Sequence, residues 1–154
     1  AGRLEADFSI EKSGIKMRKR TKAREFALQI LYQMDITRDA HDVSLVNFWE
    51  ANAQEEIEEN IKVFTGELVK GVADNLGEIN VKIAQYATNW QLTRMAVVDR
   101  NVLRMGCYEL MFCADIPPKV SINEAVELAK KYSGTESGKF VNAILDKIKI
   151  ETKK

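Results

Sequence analysis

The chain has 154 residues and a formal net charge of zero, and its 45% hydrophobic and 30% charged residues are typical of a folded globular domain. One histidine and two cysteines six positions apart exclude a zinc cluster, a His-based catalytic site and a disulfide framework, so we expect no enzyme and no cofactor. No stretch approaches the roughly 18 apolar residues of a membrane span, and the first residues lack the apolar core of a signal peptide, so we expect a cytoplasmic protein without membrane association.

The N-terminal part of the chain is predicted to contain an arm and a basic amphipathic helix. Residues 1–15 show no sustained periodicity and are predicted to be a flexible arm, whereas residues 16–150 are predicted to be one domain. From about residue 17 to 36, apolar side chains recur at three- and four-residue intervals, the pattern of an amphipathic helix. Residues 16–24, KMRKRTKAR, carry six positive charges and no negative ones. These charges surround the helix, so we expect its first turns to project from the body.

Helical periodicity continues through the middle of the chain. A short helix is predicted near 44–52, with Ser44 as its N-cap. A series of apolar residues from about 55 to 86 predicts a long helix that is kinked at Gly71 or Gly77. Thr93 is predicted to cap the next helix, whose broad apolar surface places it in the centre of a bundle.

The C-terminal part predicts two more helices. Residues 121–124, SINE, form a capping-box pattern after the only two prolines, Pro117 and Pro118. The helix that follows is predicted to end near Tyr132, and a last helix is predicted over about 136–149. With few glycines and no strand-rich region, the sequence predicts an all-α fold, a single-domain helical bundle of about six to seven helices.

The stretch KYSGTESGKF, residues 131–140, contains an SGK that resembles a phosphate-binding loop. A Walker A loop needs four residues between its first glycine and the Gly-Lys pair, and a hydroxyl side chain after the lysine. Gly134 is followed by only three residues before Gly138, and Phe140 stands at the hydroxyl position. The stretch is therefore predicted to be a turn between two helices, and a nucleotide-hydrolysing enzyme is disfavoured.

Three blocks of the sequence carry a family resemblance: AREFALQILYQMD, VVDRNVLRMGCYEL and IPPKVSINEAVELAKKYSGTESGKFVNAILDKI. They are similar to the NusB family of transcription antitermination factors. The resemblance implies a helical protein that binds a single-stranded boxA-like RNA of ribosomal RNA leaders. It also implies a partner, the ribosomal protein NusE, and a role in read-through by RNA polymerase within the antitermination complex.

The resemblance places RNA on the basic start of the first helix and on the 131–140 turn. Lysine and arginine side chains set against phosphates release counterions, and exposed aromatic rings grip unstacked bases. The predicted RNA-binding residues are Arg18, Lys19, Arg20, Lys22, Arg24, Tyr86, Arg104, Tyr132, Glu136, Lys139 and Phe140. Tyr32 and Asp99 are predicted to lie on the NusE-binding side.

Each assignment has a structural alternative. The basic segment could be only a solubilising helix end, and Phe140 and Tyr132 could be core residues that close two helices together. Glu136 and Asp99 are also ordinary first-turn acids of helices, where they favour the helix dipole. Both tryptophans are assigned to the core, and the acidic stretch at 50–60 to a solvated face.

Two other functions remain open at the level of sequence. The chain could be a NusB-like RNA-binding module of a ribosomal RNA methyltransferase, or a structural helical bundle that self-associates, for example as a homodimer. RNA binding that depends on the basic segment separates the adaptor from the structural bundle.

Overall fold

The helices of the bundle have well-defined bounds in the computed structural model, which describes residues 2–87 and 89–152, with side chains from residue 14 onward. Seven α-helices and one short 3₁₀ turn account for almost all of this part of the chain, which contains no strand. The helices are α1 (Gly2–Thr37), α2 (His41–Ala51), α3 (Glu59–Asp74), α4 (Leu76–Tyr86), α5 (Val97–Phe112), α6 (Pro118–Ser133) and α7 (Thr135–Thr152), with the 3₁₀ turn at Leu92–Arg94. The prediction of an all-α bundle is confirmed.

Helix α5 is the centre of the bundle, as its broad apolar surface predicts. It packs against α1, α3, α4, α6 and α7. Its buried side chains include Val102, Leu103, Met105, Cys107 and Leu110, each at most 2% exposed. A helix that is apolar over so much of its circumference is stable only when other helices cover it on several sides.

Helix α1 starts earlier than its periodicity indicates. It begins at Gly2 rather than near residue 17, and it continues without a break to Thr37. Its inward face is the predicted one, with Ala23, Ala27 and Ile30 at most 1% exposed. The flexibility of the proposed arm stays a prediction, and Ala1 lies outside the described residues. The basic turns do not project from the body as a whole, because Arg24 is buried.

Two predicted N-caps are wrong because α2 starts about one turn earlier than predicted and α5 about one turn later. Helix α2 begins at His41 with Ala40 as its N-cap, which leaves Ser44 buried inside the helix. Thr93 lies within the 3₁₀ turn, and α5 begins only at Val97.

The capping box predicted at residues 121–124 is also wrong. Helix α6 begins at Pro118, a position that proline favours because it has no amide hydrogen to leave unpaired. Ser121 instead donates a hydrogen bond to Glu109 of α5, at 2.9 Å, and Glu124 accepts one from Thr21 of α1, at 2.7 Å. Both side chains are used between helices rather than at a helix end.

The long helix predicted from about 55 to 86 is two helices, and neither glycine is the break. The backbone breaks at Asn75, whose amide and side-chain nitrogens both donate to the carbonyl oxygen of Gly71. Gly71 serves another purpose, since a Cβ atom there would lie 2.1 Å from Cζ of Tyr108 on α5. The missing side chain lets α3 and α5 approach each other.

We expect Gly71→Ala to destabilise the protein by about 1–3 kcal/mol, because the new methyl group overpacks the contact with Tyr108. That ring stacks on Phe112 with centroids 5.6 Å apart, which restricts its movement away from the methyl group. Gly66→Ala in the same helix is the matched control. A Cβ at Gly66 meets nothing within 4 Å, so the better helix propensity of alanine should stabilise this variant by up to about 1 kcal/mol. Urea unfolding measures both, and equal stabilities would contradict the assignment.

The turn between α6 and α7 is formed by Gly134, as predicted. Its φ of 103° lies in a region that side chains other than glycine rarely adopt. Its amide donates to the carbonyl oxygens of Ala129 and Lys130, which closes the end of α6. The 131–140 stretch therefore joins two helices and does not follow a strand, so the context of a nucleotide-binding loop is absent.

Candidate nucleic-acid interface

The basic segment, residues 16–24 of α1, presents cations in several directions. Arg18 is exposed, and Lys22 keeps 53% of its side chain in solvent. Lys19 and Arg20 are half-buried, at 34% and 27%. These four side chains are accessible at one end of the bundle and can meet a polyanion there.

Acidic side chains from two loops already contact this segment. Lys19 Nζ lies 2.8 Å from Glu58, which immediately precedes α3, and Arg20 lies 3.7 Å from Asp115, between α5 and α6. The Arg20 guanidinium also covers the ring of Phe64, 4.6 Å from its centroid. Exposed ion pairs contribute only about 0–1 kcal/mol, so an RNA phosphate can replace either acid.

Arg24 differs from the rest of the segment. Its side chain is 2% exposed and donates two hydrogen bonds, both 2.8 Å, to the carboxylate of Glu109, which is itself 2% exposed. Glu124 adds a second carboxylate at 3.6 Å. Burial alone lowers the pKa of Arg24, but the hydrogen bonds and charges of these two acids outweigh it and raise the pKa. Arg24 was predicted to bind RNA, and the structure places it between helices, away from the surface.

The α6–α7 turn forms a second accessible surface. Lys131 lies 2.8 Å from Glu25 of α1 and 5.5 Å from the ring centroid of Tyr132, which is 41% exposed. Lys139 is 71% exposed and lies 3.4 Å from Glu136, the acid in the first turn of α7. The ring of Tyr132 is therefore a surface group rather than the core residue of the structural alternative.

A groove of about 430 Å³ lies beside this turn, between the N-terminal ends of α5 and α7. Phe140 is half-buried, packs against the core and contacts the ring of Trp90, with centroids 5.8 Å apart. Ser137 donates a 3.2 Å hydrogen bond to Asp99. The structure thus brings Asp99, predicted for NusE, into one groove with Glu136 and Phe140, predicted for RNA.

Trp90 is the residue of this groove that the sequence prediction missed. It was assigned to the core, but 57% of its side chain is exposed, so that assignment is wrong. Trp49 was assigned correctly in part, since it is half-buried against the ring of Phe26. The position of Trp90 in the polar stretch ATNWQLT, outside the periodic series, is a signal that could have identified it.

Three other predicted residues neither belong to the basic segment nor line the groove. The Tyr86 hydroxyl donates to Glu151, at the opposite end of α7 from Phe140. Arg104 is 12% exposed and is hydrogen-bonded to Asp35, Asn80 and Asn101. Tyr32 is 39% exposed near the C-terminal end of α1. The helix rise of 1.5 Å per residue puts it about 18 Å along α1 from Arg20.

Asp35 holds the C-terminal end of α1 against α5. Its Oδ2 accepts hydrogen bonds from Arg100 at 2.6 Å, Asn101 at 3.0 Å and Arg104 at 3.1 Å. Burial alone raises the pKa of Asp35, but the hydrogen bonds and the two arginine charges outweigh it and lower the pKa below its ordinary value of 3.8. The ionised carboxylate is the form that the fold stabilises.

We expect Asp35→Asn to remove part of the acid sensitivity of the protein. Because the pKa of Asp35 is lowered by folding, its stabilisation is present above the ordinary value and is lost as the pH falls through the folded-state pKa. Wild type should exceed the variant in free energy of unfolding above about pH 5, and the difference should narrow toward pH 2. Urea unfolding across this range measures it, with Asp146→Asn, at an exposed site on α7, as the control. Parallel curves for wild type and Asp35→Asn would contradict the assignment.

Most of the chain matches the sequence pattern of a known protein family. The sequence model of the NusB family matches residues 21–149. The chain belongs to the NusB family. The match includes the α6–α7 turn, the groove and Arg24, whereas Arg18, Lys19 and Arg20 precede it.

Similar proteins agree with this assignment. The transcription antitermination protein NusB of Anaeromyxobacter sp. (strain Fw109-5) is 48% identical over 84% of this chain and 89% of its own length. The protein of the same name from Thermodesulfovibrio yellowstonii is 41% identical over 84% of this chain and 91% of its own.

Solved structures of the family share the fold. T. maritima NusB superposes with a TM-score of 0.76 at 37% identity, over 86% of this chain and 91% of the other. A complex of antitermination factors NusB and NusE with dsRNA contains a chain that superposes with a TM-score of 0.79 at 28% identity, over 88% of this chain and 98% of the other. The NusB fold is therefore present here.

Neither a metal cluster nor a membrane span is found in the part of this NusB-family chain that the structure describes. Among residues 14–87 and 89–152, whose side chains the structure describes, no three His, Cys, Asp or Glu side chains are grouped to hold a metal ion. Over the same ranges, every helix is too short or too polar to cross a bilayer.

Proposed function

We propose that this chain is a non-catalytic transcription antitermination factor that holds an RNA strand and NusE at the same time. The observation that carries the proposal is the family match over residues 21–149, together with relatives named transcription antitermination proteins at 41–48% identity. The similar chain that was solved with NusE and dsRNA supports both partners.

The RNA contact is proposed to follow two surfaces of this chain. Arg18, Lys19, Arg20 and Lys22 supply cations for phosphates at one end, and the α6–α7 turn supplies Lys139 and an exposed ring at Tyr132. Phosphate contacts fix the position of a strand but read no sequence, whereas rings that stack on bases need those bases unpaired. We therefore favour a single-stranded boxA-like RNA of ribosomal RNA leaders as the functional ligand.

NusE is proposed to bind near Tyr32 and Asp99. Asp99 shares its groove with Glu136 and Phe140, so the RNA and protein contacts would adjoin there. Two adjoining partners on one scaffold raise each other's effective concentration, which makes weak individual contacts strong in combination. This adaptor role places the protein in the cytoplasm with RNA polymerase, where it would favour read-through.

The experiment that tests the proposal is a titration of labelled RNA with the purified protein, with and without NusE. A boxA-like strand, a scrambled strand and a duplex of the boxA-like sequence are compared at several salt concentrations. We expect the boxA-like strand to bind best, NusE to strengthen that binding, and salt to weaken it. Equal affinity for all three RNAs with no effect of NusE would overturn the proposal.

Self-association is measured in the same preparation by sedimentation over a range of concentrations. A homodimer that dissociates when RNA is added would indicate that the two interactions use a common surface. A homodimer that ignores RNA would favour the structural bundle over the adaptor.

A further inference from the structure

Trp90 is a large aromatic side chain that the fold does not need for its core. It lies between α4 and the 3₁₀ turn, and its backbone amide donates to the carbonyl oxygen of Ala87 at 3.0 Å. The side chain is 57% exposed, and its ring makes an edge contact with that of Phe140, at an interplanar angle of 67°. An exposed tryptophan offers a large, rigid flat ring for a ligand at low entropic cost.

The groove beside Trp90 combines this aromatic wall with polar groups. Its volume of about 430 Å³ falls within the range of about 300–1,000 Å³ that is usual for small-ligand sites. Arg94 lines it and is exposed, and Met95 supplies buried apolar surface. Asp99 contributes a carboxylate whose Oδ1 is buried without a hydrogen-bond partner. A buried acceptor of this kind costs free energy until a donor reaches it.

We propose that this groove binds one unpaired nucleobase of the RNA strand, stacked on Trp90. The inference rests on the proposed RNA-binding function and adds a base-binding residue to it. Two carboxylates, Asp99 and Glu136, line the groove beside a single cation, which disfavours a phosphate inside it. A neutral base fits better, because its face stacks on the tryptophan and its amino groups are donors for a carboxylate.

The position of the groove agrees with a base from the same strand. Glu136 lines the groove and lies 3.4 Å from Lys139, so the groove borders the cationic surface of the α6–α7 turn. A strand whose phosphates lie along Lys131 and Lys139 can turn one base into the groove. The site is separate from the basic segment, since Arg18 and Arg20 lie toward the other end of the bundle.

The test measures the affinity of Trp90→Ala, Trp90→Phe and wild type for the boxA-like strand and for strands that each lack one base. Stacking on an aromatic side chain predicts a loss of about 5- to 150-fold for Trp90→Ala and a much smaller loss for Trp90→Phe. Wild type should bind one of the abasic strands more weakly than the intact strand. Trp90→Ala should bind these two strands almost equally, because the ring and the base contribute to affinity as one pair. Val81→Ala, 70% exposed on α4, is the control and should bind as wild type does.

A second measurement observes Trp90 without replacing it. In the Trp49→Phe variant, Trp90 is the remaining one of the two tryptophans, so its fluorescence reports on the groove alone. We expect the boxA-like strand to quench this emission and the strand with the critical abasic position to quench it much less.

Each contrary outcome has a distinct meaning. If Trp90→Ala binds the boxA-like strand as tightly as wild type does, and the strand does not quench Trp90 in the Trp49→Phe variant, the inference is overturned and the proposed function stands. A Trp90→Ala variant that loses NusE affinity and keeps RNA affinity shows that the groove takes a protein, which also overturns the inference. If wild type binds none of the RNAs, both the inference and the proposed function fail.

Discussion

Replacing Arg24 by alanine is expected to lower the melting temperature by about 6–20 °C. Loss of one partner from a buried ion pair costs about 3–5 kcal/mol, because the other charge remains buried without compensation. For a protein of this size, each kcal/mol corresponds to about 2–4 °C. Here the remaining charge would be Glu109, 2% exposed, with Glu124 beside it. Differential scanning calorimetry measures the change.

Two further variants give this prediction its controls. Arg20→Ala removes a basic residue of the same helix that is half-buried and pairs with the exposed Asp115. Loss of this pair and of the contact with the Phe64 ring should cost about 1–2 kcal/mol, less than the loss of Arg24. The double variant Arg24→Ala/Glu109→Leu should recover part of the loss, because it also removes the buried carboxylate that has lost its arginine. If Arg24→Ala and Arg20→Ala had the same melting temperature, the buried pair would not stabilise the fold.

The triple variant Arg18→Gln/Lys19→Gln/Lys22→Gln is expected to bind RNA about 25- to 100-fold more weakly at 0.1 M salt, with the lower value for a Lys19 that exchanges Glu58 for the phosphate. Each phosphate contact on a single strand contributes a salt slope of about 0.7, which corresponds to about fivefold in affinity at that concentration. The loss should be similar for boxA-like and scrambled strands, because contacts to phosphates read no sequence. Fluorescence anisotropy at several salt concentrations measures both the affinity and the slope.

A matched variant separates this effect from net charge. Lys70→Gln/Lys147→Gln/Lys149→Gln removes three exposed lysines outside the basic segment and changes the net charge equally. It should bind RNA nearly as wild type does. Equal losses in the two triple variants would mean that RNA responds to the overall charge of the protein and not to the basic segment.

Periodicity predicted the helices well because the same spacing that patterns the sequence also decides which face is buried. The inward face of α1 and the central place of α5 follow from it directly. Helix ends were predicted less well, since Ser and Thr have several possible uses. Ser121 has the spacing of a capping box, yet its hydroxyl donates to Glu109 on another helix, a contact that local sequence does not reveal.

The candidate site shows the same limit. Arg24 and Arg18 are both cations in one basic run, and only the fold distinguishes them, because Glu109 lies 85 residues from Arg24 along the chain. The α6–α7 turn was predictable from Gly134 and the flanking helices. The groove was not, since it joins Trp90, Asp99 and Phe140 from separate elements.

The acids that contact Lys19 and Arg20 affect the net number of cations released when RNA binds. When a phosphate takes Lys19 from Glu58, or Arg20 from Asp115, the released carboxylate attracts cations from solution. RNA sheds condensed cations as it binds, and the protein takes some of them up, so the net number released is smaller than the number of contacts. The binding step is an exchange of partners, and a shallow salt dependence would be compatible with an extensive phosphate interface.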